Sequence, residues 1–259
     1  VTGEEAPIAR LHPAIKGVRG AQSSGAMLVS FNAPAFESYG KTQSYNAPVG
    51  EKTAFAYTSA LNHLLEDRER MQTVGDTTVV FWAENAEPSY RDVFYFSMDS
   101  AERTFQENDL LRGMHELAQG RTYDWNGAVL RPETNFYILG LAPNAARLSV
   151  RFFYRNTFGG FMEHIERHYE RLEMIKPSFE TSQRLAIRDL LFETVNKNAK
   201  DKSASPLLSG ALYRAVLNDT PYPEALVNGV LLRIRAEHNV NWGRASILKA
   251  VLLKKDPCP

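Results

Sequence analysis

The pattern of apolar residues changes once along this chain, close to Phe158, and the change limits the folds open to it. Three segments before that point have the composition or alternation of strands: Thr77 to Ala83, Thr134 to Leu141 and Leu148 to Arg155. After that point the apolar spacing is helical throughout. We therefore predict an α+β fold, with a mixed sheet and helices over residues 1–157 and an all-helical part over residues 158–259.

The strand predicted at Leu148 to Arg155 shows the clearest alternation. One face carries Arg147, Ser149, Arg151, Phe153 and Arg155, and the other carries Leu148, Val150, Phe152 and Tyr154. Three arginines beside a phenylalanine suit phosphate contacts and base stacking. They are equally suited to pair with the acidic middle of the chain, so the residues alone leave both interpretations open. By contrast, the unbroken apolar run of Thr77 to Ala83 predicts an interior strand.

Helical spacing, together with capping residues, predicts the helices. They are Glu51 to Arg70, Ser100 to Gly120, Gly160 to Met174, Thr181 to Asn196, Pro206 to about Leu217, Pro223 to about Glu237, and Gly243 to Lys255. Ser100 and Ser205 are the predicted N-caps, and Pro206 takes a first helical position. Weaker patterns predict a strand at Ala26 to Phe31, a strand or connector at Arg91 to Met98, a turn at Asp124 to Arg131, and a strand break at Ala142 to Asn144.

The formal net charge is zero, which argues against a uniformly basic nucleic-acid binder. The charges are nevertheless unevenly placed. Residues 61–120 carry 12 acids and 5 basic residues, a net charge of −7, and residues 228–259 carry 6 basic residues and 2 acids, a net charge of +4. Residues 6–36 carry three basic residues and no acid. Opposed patches suit a subunit that contacts both nucleic acid and protein neighbours, although a single patch is usually a solvated helix face.

The chain has no run of about 18 apolar residues, so no transmembrane helix is predicted. Its single cysteine, Cys258, excludes an internal disulfide and fits a reducing compartment. The chain begins at Val1 without a methionine or a signal peptide. We therefore expect a cytoplasmic protein of which this sequence is only a part.

Lys16 to Lys41, which we call the glycine–serine segment, surrounds a short apolar run with glycine, serine and polar side chains. It lacks the Gly-Lys-Ser/Thr ending of a phosphate-binding P-loop and the Gly-x-Ser-x-Gly pattern of a nucleophile elbow. Loops of this composition either present a site on a rigid scaffold or only satisfy their own backbone. The residue types alone do not decide between these two interpretations.

Longer stretches show a resemblance to a known family. The stretch HPAIKGVRGAQSSGAMLVSFNAPAFESYG resembles a block of the large subunit of the type I-C CRISPR Cascade surveillance complex. NAPVGEKTAFAYTSALNHLL, ILGLAPNAARLSVRFFYR and the arginine-rich helix near LLRIRAE resemble later blocks of the same family. The resemblance covers nearly the whole chain. Because members of the family extend beyond both of its ends, the resemblance implies that this sequence is a central portion of a longer protein.

This resemblance implies a non-catalytic subunit of a crRNA-guided interference complex, with no cofactor. It would help to bind target DNA, check the protospacer-adjacent motif, open the duplex and recruit the helicase-nuclease. The implied partners are crRNA, target DNA, the backbone and crRNA-end subunits of Cascade, and the helicase-nuclease. Within this interpretation, the predicted nucleic-acid-binding residues are Arg19, Gln22, Ser23, Ser24, Asn32, Lys41, Arg147, Arg151 and Arg155. Phe31, Phe36 and Tyr39 are candidates for stacking, and equally for burial.

A second hypothesis is a metal-dependent nuclease that acts on its own. Asp76 and Glu84 bracket a predicted strand, and His164 and His168 lie one helical turn apart. No further carboxylate or third ligand is indicated at a matching spacing, so we predict neither a catalytic nor a metal site.

Overall fold

The computed structural model describes residue 3 and residues 5–68, 71–98, 107–178, 184–200 and 204–255. The chain divides into two compact units, the first comprising Val1–Phe81 and Ile138–Tyr154, and the second Trp82–Tyr137 and Arg155–Pro259. The predicted domain ranges, 1–157 and 158–259, stay a prediction. No helix within the described ranges combines the length and apolar character needed to cross a bilayer.

The strands are β1 (Gln72–Val74), β2 (Thr77–Ala83), β3 (Tyr123–Trp125), β4 (Ala128–Leu130), β5 (Asn135–Asn144) and β6 (Arg147–Thr157). One sheet has the order β1-β2-β5-β6, and β3 pairs with β4 in a second, two-stranded sheet. In the antiparallel pair of β1 and β2, Gln72 lies opposite Val79 and Val74 opposite Thr77. The predicted interior position of β2 is confirmed, and β6 lies at an edge of the sheet.

The helices are α1 (Glu51–Glu66), α2 (Pro88–Met98), α3 (Glu107–Ala118), α4 (Phe158–Leu172), α5 (Ile187–Phe192), α6 (Pro206–Leu217), α7 (Glu224–Glu237) and α8 (Trp242–Lys255). Two short 3₁₀ helices, Pro34–Phe36 and Gln43–Asn46, precede α1. In the described ranges the strands end at Thr157, and the structure beyond that residue is helical. The predicted α+β class, with a helical part after the sheet, is confirmed.

Helix α4 is the centre of the second unit, where it packs against α3, α6 and α8. Its amino end is capped by Thr157, whose side-chain oxygen accepts a hydrogen bond from the Gly160 backbone N at 3.2 Å. The buried ring of Phe136 lies between two other aromatic residues, 5.1 Å from Phe158 and 5.1 Å from Phe94 between ring centroids. These contacts are the aromatic core of this unit.

A cluster of charges fixes the carboxyl end of α4 to α8. Asp219 accepts hydrogen bonds from Arg171 at 2.6 Å and lies 3.0 Å from the ammonium group of Lys254. Burial alone would raise the pKa of Asp219, but the hydrogen bonds from Arg171 and Lys254 outweigh it and hold that pKa well below its usual range. The carboxylate therefore stays ionised and ties two helices together.

Two predicted strand assignments are wrong. Residues 91–98 belong to α2, in which Tyr90, Val93, Phe94, Ser97 and Met98 are buried at helical spacing. The predicted strand at Ala26 to Phe31 is reduced to two isolated bridges, from Ala26 to Ile15 and from Met27 to Arg147. Because these two neighbours pair with different partners and the chain bends at residues 28–29, no ladder extends.

Smaller corrections concern turns and helix ends. The predicted turn at Asp124 to Arg131 is the β3–β4 hairpin, and β5 continues through the predicted break to Asn144. Part of the predicted Ser100 to Gly120 helix, including its N-cap Ser100, and part of the predicted Thr181 to Asn196 helix lie outside the described residues. Pro206 begins α6 as predicted, but the side chain of Ser205 makes no capping hydrogen bond.

Candidate nucleic-acid interface

Residues 15–26, which we call the polar loop, form a closed loop in the first unit. Ile15 and Ala26 exchange two backbone hydrogen bonds, each with an N···O distance of 2.9 Å, and these join the two ends of the loop. The side chains of Ile15, Val18 and Ala26 are buried. The polar loop is therefore anchored at both ends and near its middle, so it is an ordered surface feature.

The close packing of the polar loop requires glycine at two positions. Gly17 has φ +91°, and a Cβ there would lie 3.1 Å from the carbonyl oxygen of Leu65 on α1. Gly25 has φ +100°, and a Cβ there would lie 2.9 Å from the Cβ of Ala14. Side chains at either position would be strained by the left-handed backbone and by this contact. Glycine at these two positions therefore allows the loop to pack closely against its scaffold.

The predicted contact residues of the polar loop point away from its anchors. Arg19, Gln22, Ser23 and Ser24 are all exposed. The backbone N of Arg19 donates to the side-chain oxygen of Thr78 on β2 at 3.0 Å, which fixes the loop to the sheet. The four side chains themselves make no hydrogen bond to the described part of the chain. They are thus available to an external partner.

A second exposed feature is the turn Ser38 to Lys41, which we call the tyrosine turn. The Lys41 backbone N donates to the Ser38 carbonyl oxygen at 3.0 Å, and the two residues between them, Tyr39 and Gly40, have φ values of 55° and 66°. The side chain of Asn46 clamps the turn, accepting from Ser38 N at 2.9 Å and donating to Lys41 O at 2.8 Å. Tyr39 is 98% exposed, so its predicted alternative of burial in the core is excluded.

The predicted contact residues Asn32 and Arg147 meet in the structure. Asn32 accepts a hydrogen bond from Arg147 Nη2 at 3.2 Å, and the guanidinium carbon of Arg147 lies 4.5 Å from the ring centroid of Phe36. The bridge between Met27 and Arg147 brings this part of the glycine–serine segment to the start of β6. The Asn32 amide and the Phe36 ring therefore hold the Arg147 guanidinium group in place. In this arrangement Asn32 positions Arg147.

Arg151 is engaged within the chain. Its Nη2 donates to Asp76 Oδ2 at 2.7 Å, and about two-fifths of each side chain is exposed (43% for both). Burial tends to raise the pKa of Asp76, but hydrogen bonds from Arg151 and Thr77 lower it overall. For Arg151, the structure thus shows pairing with the acidic middle of the chain. A half-exposed ion pair of this kind is weak, so Arg151 can exchange Asp76 for a phosphate.

Arg155 differs from the other two strand arginines because it belongs to the second unit. It is exposed, and its guanidinium carbon lies 5.8 Å from the ring centroid of Tyr137. Lys41 is also exposed, on the tyrosine turn. Asn32 and Arg147 are therefore in contact within the first unit, whereas Arg155 belongs to the second unit.

The residues of the nuclease hypothesis each have a protein partner. Glu84 accepts from Asn135 Nδ2 at 2.7 Å, and His164 Nδ1 donates to the Leu217 carbonyl oxygen at 2.6 Å. His168 is buried, and its Nδ1 lies 2.7 Å from the hydroxyl oxygen of Tyr222. Across the ranges that the structure describes, no three His, Cys, Asp or Glu side chains converge where a metal ion could bind. Asp76, Glu84, His164 and His168, the residues of the nuclease hypothesis, therefore do not converge on a metal-binding site.

The fold and these features define an α+β protein whose first unit exposes an ordered polar loop and a tyrosine turn. Over residues 1–258 the chain matches the model of the family described as CRISPR-associated protein (Cas_Csd1), and it belongs to this family. The predicted relationship to the large subunit of type I-C Cascade is thereby confirmed. A search of curated proteins gives no match.

Proposed function

We propose that this chain is a non-catalytic, nucleic-acid-binding part of the large subunit of a type I-C CRISPR interference complex in the cytoplasm. It contacts crRNA or target DNA, takes part in recognising the protospacer-adjacent motif and in opening the duplex, and supports recruitment of the helicase-nuclease. Its other partners are the backbone and crRNA-end subunits. Family membership supports the CRISPR role, and the surface of the first unit supports the mode of binding.

The observation that carries this proposal is the polar loop. Four side chains with hydrogen-bonding groups are exposed on a loop whose ends are closed by two backbone hydrogen bonds. An ordered loop loses little conformational entropy when it binds, so its contacts contribute more fully to affinity. Gln22 suits the donor and acceptor pair on an adenine edge, and Arg19 suits guanine or a phosphate. Tyr39, on its clamped turn, offers a ring on which a base can stack.

The strand arginines contribute differently in this proposal. Arg147 is already oriented by Asn32 and Phe36, so it presents its remaining donors to a phosphate with little reorganisation. Arg151 must exchange Asp76 for a phosphate, which reduces the net gain. Phosphate contacts give sequence-independent, salt-dependent affinity, whereas the polar loop gives contacts that depend on base identity.

The test is target binding by the assembled complex that contains the full-length subunit. Changing Gln22 to alanine should weaken binding of DNA with the correct motif by about 1–3 kcal/mol, the range for a bidentate base contact. Gln119→Ala is the matched control, because Gln119 is an exposed glutamine of the second unit. Equal binding by wild type, Gln22→Ala and Gln119→Ala would remove the polar loop from the interface.

The strand arginines are tested by the salt dependence of binding. Loss of Arg147 should reduce the slope of the logarithm of affinity against the logarithm of salt concentration by about 0.9 for one phosphate contact. The loss should be similar for DNA with and without the correct motif. A slope equal to that of wild type would show that Arg147 contacts no phosphate.

The non-catalytic character needs a separate measurement. The purified full-length protein is incubated with DNA and magnesium or manganese, beside the Asp76→Asn and Glu84→Gln variants. We expect intact DNA in every sample. Cleavage that either substitution abolishes would establish the nuclease hypothesis and overturn this part of the proposal.

A further inference from the structure

The second unit contains an open cavity of about 670 Å³ that the nucleic-acid interface does not involve. It lies among α3, α4, the segment after α4 and the start of α8. Its apolar lining residues are Leu111, Met114, Leu172, Met174, Ile175, Leu185 and Trp242. This volume is within the range of pockets that hold a ligand or several side chains of a partner.

The apolar lining extends out to solvent on one side. Met174 is 37% exposed and Ile175 is 99% exposed, and both lie in the segment that follows α4. Burial of this isoleucine side chain by a partner would be favourable, because it removes apolar surface from water. An exposed apolar residue beside an apolar cavity is the arrangement that a protein partner covers.

Carboxylates line the same cavity. Glu166, Glu170 and Glu173 also line it, and they follow one another at spacings of four and three residues, so they lie along one side of α4 and its end. Glu166 is bound to the ring of His115 at 2.7 Å, whereas Glu170 and Glu173 form no ion pair with the described part of the chain. These two exposed carboxylates favour a cation on the partner and disfavour phosphate.

Two basic residues line the cavity as well and limit this negative charge. Arg184 is buried, donates to the Ser97 carbonyl oxygen at 3.2 Å and lies over the ring of Tyr169. Lys176 is exposed. Because Arg184 is occupied inside the protein, the exposed charges of the lining are those of Glu170, Glu173 and Lys176, and their sum is negative. Beside the lining, the ammonium group of Lys249 donates to the Glu173 carbonyl oxygen.

Trp242 closes the apolar lining at the start of α8. Its indole Nε1 is buried and makes no hydrogen bond to the residues that the structure describes, so the cavity meets the ring and not the N–H group. Apolar surface and carboxylates thus occur together in one cavity.

We propose that this cavity binds a segment of a partner protein in which a large aliphatic or aromatic side chain stands next to lysine or arginine. The apolar side chain enters the cavity and covers Ile175. The basic residue pairs with Glu170 or Glu173. The proposal is independent of the nucleic-acid interface, because it concerns residues of the second unit alone.

The experiment selects displayed random peptides on the immobilised full-length protein and removes those that also bind the Ile175→Ser variant. The selected sequences should combine a large apolar residue with an adjacent lysine or arginine. With a labelled peptide of the selected sequence, Ile175→Ser should weaken binding about tenfold or more, since apolar burial is lost.

Charge is tested in the same assay. Replacing both Glu170 and Glu173 by lysine should abolish the preference for basic peptides, whereas Glu133→Lys, an exposed control in the same unit, should leave binding unchanged. The proposal is overturned if the selected peptides lack basic residues, or if no peptide discriminates between wild type and Ile175→Ser. It is also overturned if the wild-type protein self-associates and Ile175→Ser prevents this, because a second copy would then cover the cavity.

Discussion

The buried histidine of α4 predicts how the stability of the second unit depends on pH. His168 is 1% exposed, and burial, followed by the nearby charges of Lys254 and Arg171, lowers its pKa from the usual 6.5 to about 3. The folded protein therefore keeps this imidazole neutral throughout the mildly acidic range. The unfolded chain protonates it below about pH 6.5, so protons favour the unfolded state in this window.

The magnitude follows from the two pKa values. A difference of one pKa unit corresponds to about 1.36 kcal/mol, so the free energy of unfolding should fall by about 2 kcal/mol between about pH 7 and about pH 5 from His168 alone. The loss should continue until the pH approaches the folded pKa of about 3. Above about pH 7 this residue should contribute no pH dependence. His12 in the first unit is buried, and burial lowers its pKa in the same direction.

The assay is chemical denaturation followed by tryptophan fluorescence at several pH values. Trp82, Trp125 and Trp242 all belong to the second unit, so the signal reports the unit that contains His168. His168→Asn retains a polar group near Tyr222 and removes the titration; it should lower stability at neutral pH but remove most of the slope between about pH 5 and about pH 7.

His238→Asn is the matched control, because His238 is an exposed histidine of the second unit, which also contains His168. It should leave the slope unchanged. An unchanged slope in His168→Asn would refute the conclusion that this histidine is buried in its neutral form.

Three further predictions concern other parts of the chain. Asp76→Asn should strengthen binding of target DNA by the assembled complex several-fold at low salt, because it releases Arg151 and removes a negative charge; weaker binding would contradict the phosphate role of Arg151. Gly17→Ala should lower the free energy of unfolding by about 2 kcal/mol. Gly40 also has a positive φ, but a Cβ there would meet no atom within 4 Å, so Gly40→Ala should lower this free energy by only about 1 kcal/mol. Equal losses in the two variants would show that the contact of Gly17 with α1 is unimportant. Asp219→Asn should lower the free energy of unfolding by about 2–4 kcal/mol near neutral pH. This loss should shrink as the pH falls below about 4, because the ionised carboxylate then stabilises the wild-type protein less. A loss that does not depend on pH would argue against the ion cluster.

Much of the fold could be predicted because its clearest sequence patterns reflect local preferences for strand or helix. Thr77–Ala83 was predicted with its exact limits, since a β-branched and aromatic run is suited to an interior strand. The alternation of residues 148–155 predicted the strand but its apolar face only in part, because Leu148 and Phe152 are buried whereas Val150 is 51% exposed. By contrast, the α2 segment contains both strand-like residues and a helical period, and the packing of its buried face decides in favour of the helix.

Less of the candidate interface could be predicted from the sequence. The resemblance selected the glycine–serine segment, but the closure between Ile15 and Ala26 and the clamp by Asn46 are long-range or side-chain interactions that periodicity does not show. The pairing of Arg151 with Asp76 joins residues 75 positions apart. Gly40 was a local signal for the tyrosine turn, because glycine adopts positive φ without the steric cost of a Cβ.

The most direct test of the central claim is a photo-crosslinking map of the assembled complex on target DNA. A photoreactive amino acid is placed at Gln22, at Tyr39, and at the exposed control Glu133. Crosslinks to DNA or crRNA from the first two positions, and none from the third, are expected. Nucleic-acid crosslinks that form at Glu133 but not at Gln22 or Tyr39 would contradict the interface described for the first unit.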